Sequence, residues 1–85
     1  MVDLFGATTW EEVVVRVQLF AKEHPEEKWI QGRGWDQNKW PGKMYPTNDK
    51  LNEAFSGTPV ILTRVDGHAA IVNQKTLDLA GLTLA

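Results

Sequence analysis

"PVILTRVDGHAAIVN", residues 59–73, decides the fold. Two runs rich in apolar and β-branched residues, 59–65 and 68–73, flank Asp66 and Gly67, and an Asp-Gly pair between such runs is the strongest short hairpin signature a sequence carries. A two-residue turn there pairs Val65 with His68 and Arg64 with Ala69. Alternation along the strands then sends Arg64 and His68 to opposite faces. Both strands are apolar on both faces, so the hairpin is expected to be mostly buried, with a strand on each side of it.

Working outward, Asn73 is placed to cap a short helix, "QKTLDLA" at 74–80, closed by Gly81 with Leu82 covering its end. Before the hairpin, Thr47 starts another short helix through Leu51, Ala54 and Phe55, with Gly57 as a left-handed stop. Further back, "KWIQGRGW" at 28–35 reads as a strand, with Ile30, Gly32 and Gly34 on one face and Trp29, Gln31 and Arg33 on the other. Glycine inside a strand marks a bulge or a close approach by another group. Residues 36–46, "DQNKWPGKMYP", have no periodicity and form a loop of about ten residues, long by ordinary standards. Trp40, in this polar stretch before Pro41, is the tryptophan expected to be exposed.

The clearest helix lies earlier. Thr8 or Thr9 is followed three residues on by Glu11 or Glu12, as a capping box requires. Trp10, Val13, Val14, Val17, Phe20 and Ala21 then fall on one stripe, and Pro25 ends the helix near His24. "VDLFGA" at 2–7 suits a short edge strand. The expected class is α+β: a small mixed or antiparallel sheet of about four strands with two or three helices packed on it, in one unit over residues 1–85.

Composition narrows the function. The chain has 85 residues, a net charge of −2 and no cysteine. Scattered lysine and arginine offer no footprint for a phosphate backbone, so no nucleic-acid partner is expected. No apolar run is long enough to span a membrane, and the first ten residues lack the pattern of a signal peptide. Absence of cysteine suits a reducing compartment, and the cytoplasm is the expected location.

Searches for an autonomous catalytic site fail one after another. "GRGWD" has Gln37 where a dinucleotide loop needs glycine, and no Walker lysine follows. The two histidines, His24 and His68, form no His-x-His or H-E-x-x-H pair, so no metal site is expected in the chain. The single serine, Ser56, lies in no nucleophile motif. Three tryptophans within residues 29–40 serve either a thin core or a stacking wall for a sugar or aromatic ligand. Asp66 and His68 are readable as plain turn residues.

Together, "WIQGRGWD" at 29–36 and "PVILTRVDGH" at 59–68 resemble a segment of the large metal-dependent amidohydrolases with a TIM-barrel fold, a group that includes N-substituted formamide deformylase and proteins labelled exoenzyme regulatory protein. Trp40, Pro46, Leu51, Val72 and Asn73 match as well, so the likeness covers nearly the whole chain. Asn52 stands where the family favours aspartate, and Thr76 where it favours alanine.

The resemblance implies an inserted fragment of a larger enzyme, which accounts for the chain stopping at "AGLTLA". It implies that a divalent metal, zinc by preference, is held elsewhere in the parent, and that the reaction is hydrolysis of a C–N bond in a small amide-type substrate. In this reading the partner is the rest of the parent chain, and the segment shapes the substrate pocket without being catalytic alone. Trp35, Asp36, Asp66 and His68 are the positions expected to face that pocket, with Trp40 and Arg64 as weaker candidates. The rival expectation is a free-standing binding module that stacks a ligand on Trp35 and Trp40.

Overall fold

A computed structural model describes residues 1–80. Four strands, β1 (Val2–Asp3), β2 (Ile30–Trp35), β3 (Val60–Arg64) and β4 (Ala70–Val72), lie in that order across one sheet. β1, β2 and β3 run parallel, and β4 pairs antiparallel with β3. Three helices accompany them: α1 (Trp10–Glu23), α2 (Asp49–Ala54) and α3 (Gln74–Ala80). The α+β expectation, with a mixed sheet, matches this arrangement.

Each connection follows from local chemistry. Thr9 caps α1, its hydroxyl oxygen accepting from the Glu12 N–H at 3.0 Å, while Glu12 reaches back to the N–H and hydroxyl of Thr8. Both threonines therefore share one glutamate, a variant of the reciprocal capping box. Val13, Val14 and Val17 are buried along the expected stripe, with Trp10, Phe20 and Ala21 packed at its margin. Against them lie Val2, Leu4, Ile30, Val60 and Leu62. The exposed alternation of Gln31 and Arg33 in β2 also follows the sequence pattern.

Gly34 interrupts the β2–β3 ladder, where the register shifts between Arg33 and Trp35. Its φ is +107°, and a Cβ there would stand 2.6 Å from the Phe5 ring. Only glycine meets both demands, and the resulting bulge turns Trp35 inward.

Several expectations are corrected. β4 lies at the sheet edge, with Ala70 exposed and Ile71 and Val72 half-buried, so only β3 of the hairpin is central. Parallel pairing of β3 with β2 leaves one free edge on β3, and β4 fills it without a further neighbour among the described residues. Trp40 is buried, 6% exposed, because its indole Nε1 donates to the Ala7 carbonyl at 3.1 Å. Trp29 is the half-exposed tryptophan instead, at 47%. α2 begins at Asp49 after Asn48, and ends with Phe55 as its cap; Gly57 is not left-handed.

Asn73 does more than cap α3. Its buried Oδ1 accepts from Thr76 and from the Val60 N–H, while its Nδ2 donates to the carbonyls of Phe55 and Thr58. Thr76 returns a hydroxyl bond to the Val60 carbonyl. The departures at 52 and 76 thus carry bonds of their own, since Asn52 Oδ1 also accepts the Gln74 N–H at 2.7 Å. The expected closure of α3 by Gly81 and Leu82 lies outside the described residues.

Candidate functional site

β2 and β3 run parallel, so the loops that follow Trp35 and Arg64 emerge at the same end of the sheet. The carboxyl ends of parallel strands are where open sheets place ligands. Asp36 opens the first loop and accepts the Asn38 N–H at 3.0 Å, starting a 3-10 turn over Gln37–Lys39. The second loop is the hairpin connection. Its ladder closes with the Arg64 N–H on the Ala69 carbonyl, in the expected register, but the tight turn is one position earlier than expected. The Gly67 N–H donates to the Arg64 carbonyl, so Val65 and Asp66 are the central residues and Gly67 is left-handed at φ +75°.

That shift of the turn corrects the expected separation of Arg64 from His68. The four-residue loop no longer obeys strand alternation, and both side chains meet Asp66. Arg64 Nη1 lies 2.6 Å from Asp66 Oδ2, and His68 Nδ1 lies 4.0 Å from the same oxygen. Arg64 also reaches the other loop, with Nε donating to Gln37 Oε1 at 2.8 Å and Nη2 to Asp36 Oδ1 at 3.3 Å. Its side chain is 11% exposed. Two carboxylates and an amide therefore satisfy the guanidinium, which ties the loops together.

His68 is the group this assembly presents, with its side chain 88% exposed. Its backbone N–H donates to Asp66 Oδ1 at 3.0 Å. That bond holds the Asp66 carboxyl below the ordinary aspartate value; desolvation opposes it, and the charges of Arg64 and His68 reinforce it. Asp36 is half-buried beside Arg64. Trp35 is 1% exposed, its Nε1 donating to the Leu62 carbonyl at 2.8 Å, so its ring forms a wall behind the loops. Trp40 stacks on it at 6.0 Å between centroids and faces Trp10 at 5.9 Å.

Sequence reasoning missed Gln37, whose buried amide completes the Arg64 cluster, and Tyr45, whose ring meets Trp35 edge-on at 6.2 Å. Nothing in a loop without periodicity signals either. Among the described residues, no three His, Asp or Glu side chains are grouped to hold a metal ion, so this segment does not fit a resident metal. His24 stacks instead on Phe20 at 4.4 Å.

Residues 1–85 match the model of an amidohydrolase family. The chain belongs to the amidohydrolase family. It is 30% identical over 95% of its length to YtcJ of Bacillus subtilis, named as an amidohydrolase, and 33% identical over 95% to the protein LONG AFTER FAR-RED 3 of Arabidopsis thaliana. The chain spans only 15% and 14% of those relatives. Two crystal structures of metal-dependent hydrolases, from Pyrococcus horikoshii OT3 and Pyrococcus furiosus, match all of it at 35% identity with TM-scores of 0.78 and 0.79, again over 16% of each hydrolase. The fold of this chain is thus similar to that of one portion of each of two much longer hydrolases.

Proposed function

We propose that the chain is an accessory wall of the substrate pocket in a metal-dependent amidohydrolase that hydrolyses C–N bonds of small amide-type compounds. One observation carries the reading: Arg64 locks the loops after two adjacent parallel strands into one unit, which presents Asp36, Asp66 and His68 at the sheet end where ligands bind. The partner is the remainder of the enzyme, here taken to be a TIM barrel with the pocket at its mouth. The divalent metal, zinc by preference, belongs to that remainder and supplies Lewis-acid chemistry there. This segment orients substrate and excludes water.

Among the described residues no helix is long and apolar enough to cross a membrane. The lack of cysteine supports placing the enzyme in the cytoplasm. The stacking-platform alternative loses its platform, because both Trp35 and Trp40 are buried.

The test is His68→Ala in the longer enzyme, with metal content measured beside steady-state kinetics. Reduced turnover with unchanged metal is expected. Metal lost in proportion to activity would make His68 a ligand, and unchanged kinetics would return Asp66, Gly67 and His68 to a plain turn.

A further inference from the structure

Asp66 and Gly67 form the peptide link of this chain that is most open to rearrangement. An aspartate carboxyl carbon lies within reach of the next residue's amide nitrogen, and glycine, having no side chain, hinders that attack least. No other aspartate or asparagine in the sequence precedes glycine. The link is also wet: the Asp66 side chain is 41% exposed, and a Cβ placed on Gly67 would meet nothing within 4 Å. Packing therefore does not shield it.

Hydrogen bonds engage both reacting groups instead. The Gly67 N–H donates to the Arg64 carbonyl at 2.9 Å, so the attacking nitrogen is committed to the turn. Asp66 Oδ1 accepts the His68 N–H at 3.0 Å, and Oδ2 accepts from Arg64 Nη1 at 2.6 Å. Loss of a carboxyl oxygen as water requires a protonated carboxyl, and the His68 N–H, seconded by the Arg64 charge, holds Asp66 below its ordinary value. An exposed aspartate in a turn ordinarily has no fixed partner. Here the partner is anchored, because Nε and Nη2 of the same guanidinium are bonded to Gln37 and Asp36 in the loop after β2.

We infer that Asp66–Gly67 is a site of isoaspartate formation, which the Arg64 tie keeps shut while the two loops are joined. When the loops part, the Gly67 nitrogen bonds to the Asp66 side-chain carboxyl carbon. The amide proton and the carboxyl hydroxyl depart together as one water, leaving a five-membered imide. Water then opens the ring. Attack at the side-chain carbonyl restores aspartate, and attack at the main-chain carbonyl leaves isoaspartate, with the backbone routed through Cβ. The water released is the water returned, so mass is unchanged and no co-reactant is needed. The turn closed by the Arg64–Ala69 pair then carries one backbone atom more than its register allows. Arg64 keeps Gln37 and Asp36, while the His68 N–H loses its acceptor. The site stands on loop geometry and does not rest on the pocket-wall reading.

The test is to age the chain at neutral pH and physiological temperature and to follow the tryptic peptide 65–75. Its aspartyl and isoaspartyl forms have equal mass and separate by chromatography, and enzymatic methylation of isoaspartyl carboxyls identifies the product. The folded chain is expected to convert at least about tenfold more slowly than the same chain unfolded in guanidinium chloride, because reaction waits on local opening. Arg64→Met should close most of that gap. Arg64→Lys, which keeps the charge without the planar fork, should fall between, and it decides the matter if Arg64→Met fails to fold. Trp10→Ala, which weakens the core without touching the loop, should age at the rate of the unaltered chain. Equal rates for the folded and unfolded chain overturn the proposal. So does a folded Arg64 variant that ages no faster than the unaltered chain, or Trp10→Ala ageing as fast as the Arg64 variants, which would assign the protection to global folding alone.

Discussion

Arg64 Nη2 stands 3.3 Å from Asp36 Oδ1, so a cation at the end of β3 holds a carboxylate that follows β2. The same guanidinium grips Asp66 in its own hairpin loop. Two segments 28 residues apart in the chain are thereby fixed relative to one another, which is what a pocket wall requires if it is to orient a substrate.

Removing that tie has a defined cost. Arg64→Met should destabilise the chain by about 1 to 3 kcal/mol, because Gln37 is buried and loses its partner while Asp36 is left beside an apolar side chain. A shift of the denaturation midpoint, with faster amide exchange at Gly67 and His68, is the expected result. Unchanged exchange there would mean that the loop holds its shape without Arg64.

Asp66 predicts how the loop responds to acid. Its folded pKa is lowered, first by the His68 N–H bond, so its contribution is present above the ordinary aspartate value and is lost as pH falls through the lower folded value. The His68 amide should therefore lose protection only in that strongly acid range. Asp66→Asn should remove this pH dependence while the exchange of β3 amides is retained.

Trp40, expected to be exposed, is more deeply buried than Trp10. Trp40→Ala should destabilise by about 3 to 5 kcal/mol, as emptying an aromatic core site does, and should exceed Trp10→Ala because Trp10 is only partly buried at the margin. Trp40→Phe keeps a smaller aromatic ring but loses the bond to Ala7. Equal midpoints for the two alanine variants would contradict this placement.

Gly34→Ala combines a positive φ with a collision against Phe5. A loss of about 1 to 3 kcal/mol is expected from the backbone alone. Adding Phe5→Ala should relieve the clash without restoring the midpoint; full recovery would show that the backbone is not strained.

Amide exchange also separates the two strands of the hairpin. Ile71 should be protected by its pairing with Leu62, whereas Ala70, facing the open edge, should exchange quickly. Comparable protection at both positions would indicate a different register.

Local chemistry by itself determined the helix that Thr9 and Glu12 begin, the inward face of β2, the pairing of Arg64 with Ala69 and the cap at Asn73, because each depends on neighbours within a few residues or on a strict period. The family motifs were legible for the same reason. Tertiary structure alone decided that β4 is an edge and that Trp40 is buried by a carbonyl 33 residues away. It also decided that the turn starting at Arg64 is tied to the loop after β2, where one guanidinium gathers acceptors from both. Such contacts depend on which loops the parallel pairing of β2 and β3 brings to one end, and no spacing along the chain encodes that.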